Sequence, residues 1–125
     1  WDNRYTEIEN LYEQFQMAAQ MTFNIFDKDA FHKFKAGNYE NKINRAVADI
    51  MLFYFSNPDI RMAVPGHEEQ IKSRFEILST GRVEFLSAIE TTTKSMQSVK
   101  ERFNTWANAL SEELGVKVES PYSEN

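Results

Sequence analysis

Met96, Val99, Phe103, Trp106 and Leu110 step along the chain by 3, 4, 3 and 4 residues. Only an α-helix, with its 3.6-residue turn, gathers that spacing onto one face. A strand would scatter the same residues over both sides. The pattern predicts a helix over about Ser95 to Leu114. Gly115 is placed to close it, because glycine accepts the left-handed backbone at which helices often end. Thr91, Thr92 and Thr93 precede it as a break, since β-branched hydroxyl residues lose rotamer freedom and compete for backbone groups.

The rest of the chain repeats this helical grammar. Ile8, Leu11, Tyr12, Phe15, Ala18, Ala19, Thr22 and Phe26 predict one buried face of a helix from about Thr6 to Phe26, widened by Phe23 and Ile25. Thr6 and Glu9 have capping-box spacing. Asp27 to Phe34 reads as a break and one short helical turn carrying Phe31 and Phe34, with Gly37 and Asn38 as a loop. A second helix spans about Glu40 to Phe55. It carries Ile43, Ala46, Val47, Ile50 and Tyr54 as a stripe, and Met51, Phe53 and Phe55 make its end apolar nearly all round, as expected of a central helix. Asn57 and Pro58 end it. A third helix runs from about His67 to Ser79 with Ile71, Phe75 and Leu78 inward, and Gly81 stands as its C′ residue. A fourth, about Arg82 to Glu90, buries Phe85, Leu86 and Ile89.

These elements predict an all-α, single-domain bundle of about five helices with one short helical turn, over residues 1–115, followed by a flexible tail over 116–125. The 125 residues are enough for one domain, and ten Phe, five Tyr and two Trp supply its core. Four Gly and three Pro are too few for a turn-rich sheet protein. The chain has no Cys, which removes disulfides and thiolate chemistry and favours a cytoplasmic setting. The longest apolar run, Ile50 to Phe55, is far short of the roughly 20 residues of a membrane span. A start at Trp1 rather than Met reads as a processed protein or a domain cut from a larger one, and the second reading is favoured. A net charge of −5 argues against whole-surface binding to nucleic acid or anionic membrane.

Few residues suggest chemistry. Asp29 and His32 have the spacing of half a carboxylate-bridged di-iron site, but the second pair is missing. His67, Glu68 and Glu69 lack the second His of a zinc-protease helix and fit a helix start, with acids near its positive end. No Walker loop, glycine fingerprint or serine elbow is present, and nothing asks for a cofactor or metal. The methionines Met17, Met21, Met51, Met62 and Met96 read as core filling ahead of a binding groove. Lys28, Lys33, Lys35, Lys42 and Arg45, interleaved with Phe31, Phe34 and Tyr39, form a local basic patch. Within it Lys33, Lys35 and Lys42 are candidate phosphate contacts through which nucleic acid could bind, diluted by Asp27, Asp29 and Glu40. Asp49, between Ala48 and Ile50, is expected to be half buried and held by Arg45 or Arg102 as a structural ion pair, since a lone buried carboxylate is costly.

Four segments carry a resemblance: Phe26-Asp-Lys-Asp-Ala-Phe-His-Lys-Phe34, Ile43-Asn-Arg-Ala-Val-Ala-Asp-Ile50, Phe85-Leu-Ser-Ala-Ile-Glu-Thr-Thr-Thr93 and Val99-Lys-Glu-Arg-Phe103. Together, over about Arg4 to Leu114, the chain resembles the helical C-terminal region of a prokaryotic family with a ParB/sulfiredoxin-like N-terminal domain. That family includes the nucleotide-hydrolysing half of GmrSD-type, modification-dependent restriction systems. Its catalytic signature, an Asp-Gly-Gln-Gln-Arg run, has no counterpart in this chain, so the resemblance implies a non-enzymatic part of a defence protein. Arg45, Asp49 and Arg102 look similar to polar positions of the family's helical region, for which a structural role is implied. The expected function is a helical accessory domain that supports, dimerises or positions an absent nuclease or NTPase domain. The alternative is a free-standing helical module binding another protein. The partners expected are the parent's N-terminal domain or another protein, with a homodimer open and no membrane.

Overall fold

The computed structural model describes residues 2–90 and 95–122, with side chains from residue 5 onward. The chain runs through helix α1 (Asp2–Phe26), a 3-10 turn (Asp27–Asp29), strands β1 (His32–Lys35) and β2 (Asn38–Ile43), and helices α2 (Arg45–Phe55), α3 (Pro58–Ala63), α4 (Glu68–Gly81), α5 (Val83–Glu90) and α6 (Met96–Leu114). The protein is therefore mostly helical, with six helices and a two-stranded sheet among the described residues. It is not purely α.

The apolar helix α2 is central, as its composition predicts. It packs against α1, α3, α5, α6 and β1, burying Ala46, Val47, Ile50, Met51, Tyr54 and Phe55. Asn44 starts it with a side-chain oxygen that accepts from the Val47 N–H, which fills one of the orphan donors of the first turn. Phe75 of α4 is the hub of the core. It meets Phe26 of α1, Phe85 of α5 and Trp106 of α6 edge to face, at 5.6, 6.2 and 5.6 Å between ring centres, the geometry that aromatic quadrupoles favour. The Tyr54 hydroxyl donates to the Phe103 carbonyl at 2.8 Å and ties α2 to α6. Thr22, fully buried, satisfies its hydroxyl on the Ala18 carbonyl one turn back.

Helix α6 ends as its sequence predicts. The Ser95 hydroxyl caps it by accepting from the Ser98 N–H, and Gly115 closes it with φ of 69°. Of its stripe, Phe103, Trp106 and Leu110 are buried, Val99 is partly buried and Met96 is exposed.

Several expectations are corrected. The short helical turn placed over Asp27 to Phe34 is a 3-10 turn followed by β1, and the stretch from Glu40 to Ile43 belongs to β2, so α2 begins at Arg45. The two strands pair antiparallel through a two-residue turn at Ala36 and Gly37. Both residues have positive φ, 54° and 84°, the mirror-type turn that matches strand twist. Helix α1 begins at Asp2, four residues before the expected cap at Thr6. Asn57 and Pro58, expected only to stop a helix, also start α3: the Asn57 side chain accepts from the Asp59 N–H and Pro58 fills the first position. Gly81 lies inside α4 rather than beyond it, and α5 follows almost at once. The threonines expected to break the helix at 91–93 lie outside the described residues.

The tail does not fray where it is described. Val118 is buried, its N–H donates to the Ser111 hydroxyl at 2.9 Å, and Tyr122 meets Phe103 edge to face at 5.2 Å between ring centres. Apolar residues with a place to pack overcome the usual looseness of chain ends.

Candidate functional site

The apolar seam of α1 changes surroundings along its length. Ala18, Thr22, Ile25 and Phe26 are buried in the bundle. Ile8, Leu11, Tyr12 and Phe15 lie on the same helical face by 100° steps, yet they are 58, 68, 62 and 52% exposed. Arg61, near the end of α3, reaches α1 at Gln14, to which its guanidinium donates at 2.5 Å, while its other nitrogen donates to the Phe55 carbonyl at 2.7 Å. N-terminal to that contact the seam faces water. The sequence correctly shows an apolar face here and wrongly expects it to be buried. On the order of 400 Å² of apolar surface is left open by four such side chains, a patch of the size that often marks an interaction site. By 100° steps Glu7 borders the face on one edge and Glu9 on the other, and Arg4 precedes Ile8 by one helical turn.

The expected basic patch is organised differently. Lys33 and Lys35 alternate onto the same side of β1, and both reach Glu90 at the end of α5, at 3.0 and 2.5 Å; Lys33 also pairs with Glu40 at 3.1 Å. The pairing shifts between His32 and Phe34, where the single residue Lys33 faces Glu40, Asn41 and Lys42, so the extra residues bulge from β2. Burial disfavours the Lys33 ammonium, but Glu90 and Glu40 outweigh it and raise its pKa above the ordinary lysine value. In return Lys35 and Lys33 hold the Glu90 carboxyl below its ordinary range. Beside this cluster Lys72 pairs with Asp29 at 3.4 Å and lies over the Tyr39 ring. Tyr39 donates to Glu76 at 2.8 Å; its burial and that acceptor push the phenol far up. A phosphate at Lys33 or Lys35 would have to displace a carboxylate already in place, so these two expected phosphate contacts are internal braces. Lys42 is exposed on β2. Of the carboxylates that hold these groups, Glu40 lies near Lys33 in sequence. Glu90, the shared partner of Lys33 and Lys35, and Glu76, the acceptor of Tyr39, lie more than 30 residues away, so spacing alone carried no signal of those two.

The expected ion pair of Asp49 is also overturned. Asp49 and Arg45 are both exposed, and no ion pair among the described residues joins Asp49 to Arg45 or Arg102. The neighbours Ala48 and Ile50 that suggested burial point 100° away from Asp49 on the helix. Its true companions one turn either way, Arg45 and Phe53, are exposed too. Arg102 is buried, but its Nη1 donates to the Ala88 carbonyl at 3.2 Å, capping the last turn of α5. A polar hollow of about 530 Å³ lies between α5 and α6, lined in part by Arg82, Ser98, Glu101 and Asn104. Its strongest charges are committed to one another: Arg82 donates from Nε and Nη2 to Glu101 at 2.6 and 3.1 Å, a fork-shaped pairing. That pairing lowers the Glu101 pKa and raises that of Arg82.

Among the described residues no three or more His, Asp or Glu side chains converge as metal ligands would, and no helix is long and apolar enough to cross a membrane. The polar clusters at Glu90 and Glu101 are paired within the fold, and the open half of α1 leaves Ile8, Leu11, Tyr12 and Phe15 in solvent. No family model, curated protein or solved structure matches this chain.

Proposed function

We propose that this chain is a non-enzymatic helical accessory domain of a larger prokaryotic defence or restriction-type protein, acting in the cytoplasm by docking a partner. The observation that supports this reading is the half-exposed seam of α1, four large apolar side chains in water on a face whose continuation is core. The resemblance to the helical region of ParB/sulfiredoxin-like proteins supplies the biological setting. A free-standing protein-interaction module would use the same surface, and the gene separates the two. The accessory reading requires that the reading frame holding this chain also encode a domain with an Asp-Gly-Gln-Gln-Arg run. That domain, expressed separately and titrated with this chain by calorimetry, should bind, and Leu11→Asp should weaken it at least tenfold. A reading frame with no such domain, or a domain that ignores the chain, overturns the accessory role.

A further inference from the structure

A second hollow, of about 500 Å³, lies between the corner joining α2 to α3 and the C-terminal segment. Its volume falls in the roughly 300–1,000 Å³ range of ligand sites. We infer that it receives the side chain of an arginine or lysine presented by another protein. The floor is apolar: Ile60 and Val118 are buried, and Phe53 leaves a half-exposed ring in solvent. That ring is fixed, meeting Tyr54 and Phe103 edge to face at 5.0 and 5.5 Å between ring centres. The far wall is also set. The Ser111 hydroxyl accepts from the Val118 N–H at 2.9 Å and donates to the Val118 carbonyl at 3.4 Å, so the chain on either side of Val118 is held at the hollow. A ligand therefore meets a site that needs little reorganisation. The rim is acidic, since Asp59 and Glu119 line it with only Lys117 against them. Asp59 is exposed and has no ion pair among the described residues. Lys117 comes no nearer to Glu119 than 3.9 Å, and with the two side chains 84 and 75% exposed that pair holds neither group. An apolar floor under uncommitted carboxylates matches a side chain with a hydrocarbon stem and a cationic head. The exposed aromatic ring adds attraction for the same head. An anion would face two like charges, and a wholly apolar ligand would strip water from the carboxylates without replacing it. The hollow is separate from the seam of α1 and does not depend on what covers that seam.

The test titrates the full chain with Nα-acetyl-arginine amide, Nα-acetyl-lysine amide and Nα-acetyl-norleucine amide, the last a stem without a charge, and follows amide and methyl resonances by NMR. At least one cationic probe should saturate, with its largest shifts at Phe53, Ile60 and Val118. In low salt it should bind about tenfold more tightly than the norleucine probe, and the difference should shrink as ionic strength rises. Asp59→Asn/Glu119→Gln should weaken the cationic probe about fivefold. Both residues are exposed, so the fold should survive, as checked by circular dichroism. Glu7→Gln/Glu9→Gln removes as much charge from α1 and should leave binding unchanged, which separates the hollow from general attraction to an acidic protein. Lys117→Gln should tighten binding about twofold by removing the competing cation. Phe53→Leu should weaken it about threefold through loss of the ring. Shifts that spread over the surface without saturating overturn the inference, as does equal binding of the norleucine probe. So does a rim pair or Phe53→Leu that leaves binding unchanged, or an α1 pair that weakens it as much as the rim pair.

Discussion

The two halves of α1 share one spacing and live in different solvents. From Ala18 to Phe26 the seam is closed by the bundle, and Phe26 is 2% exposed. From Ile8 to Phe15 the same face meets water, and Phe15 is 52% exposed. Hydrophobic periodicity reports that a face is apolar; whether anything covers it depends on the length of neighbouring elements. Here α2, with α3 and α4, packs against α1, and only the second half of the seam is buried.

The comparison breaks most directly at Phe26. Phe26→Ala should cost about 3–5 kcal/mol in denaturant unfolding, while Phe15→Ala should cost under about 0.5 kcal/mol, since truncation in water leaves no cavity. Equal losses would mean that the first half packs on something after all. Trp106→Ala should also cost about 3–5 kcal/mol. Because Trp106 and Phe26 both pack on Phe75, its effect should be non-additive with Phe26→Ala and additive with Phe15→Ala.

A smaller effect sits where the buried half of α1 leads into the hairpin. Glu90 is ionised below the ordinary carboxylate range by Lys35 and Lys33. Its contribution is therefore present above that range and lost as pH falls through the depressed value. Lys33 acts at the other limit: its contribution holds below the ordinary lysine value and is lost as pH rises through the raised one. With Glu90 partly in solvent, Glu90→Gln should cost about 0.5–1 kcal/mol at neutral pH. Thermal melts from about pH 7 down to pH 3 should show the variant and parent converging in acid; parallel curves would remove the brace. Ala36→Gly should be the mildest change. A side chain at φ of 54° is strained, and relief, less the freedom glycine gains when unfolded, should add up to about 0.5–1 kcal/mol to stability in the same melts.

Helix α6 and the centrality of α2 were legible because each is written in local, repeated spacing: a capping Ser95, a 3-4 stripe and Gly115 in one case, a nearly all-apolar surface in the other. The hairpin was not. β1 is four residues, His32 to Lys35, and β2 carries Asn38, Glu40, Asn41 and Lys42, types that rarely favour strands. Their pairing is fixed by the turn and by Glu90, a contact across more than 50 residues. The lysines of the candidate site were visible as a cluster with Glu40 beside them, but the carboxylate that Lys33 and Lys35 share, Glu90, comes from a distant helix. Asp49 misled because sequence neighbours are not helical neighbours.

Trp106 has a further consequence. Its indole is fully buried, edge-on to Phe75, and its Nε1 has no hydrogen-bond acceptor among the described residues. A tryptophan in that setting emits from an apolar, unrelaxed surround, so its fluorescence should sit to the blue and shift red only when the core opens. With Trp1 replaced by Phe, the protein would carry one optical gauge at its centre. Such a gauge is deaf to events on the open half of α1, and any change it registers when a partner docks there would measure strain transmitted through the bundle.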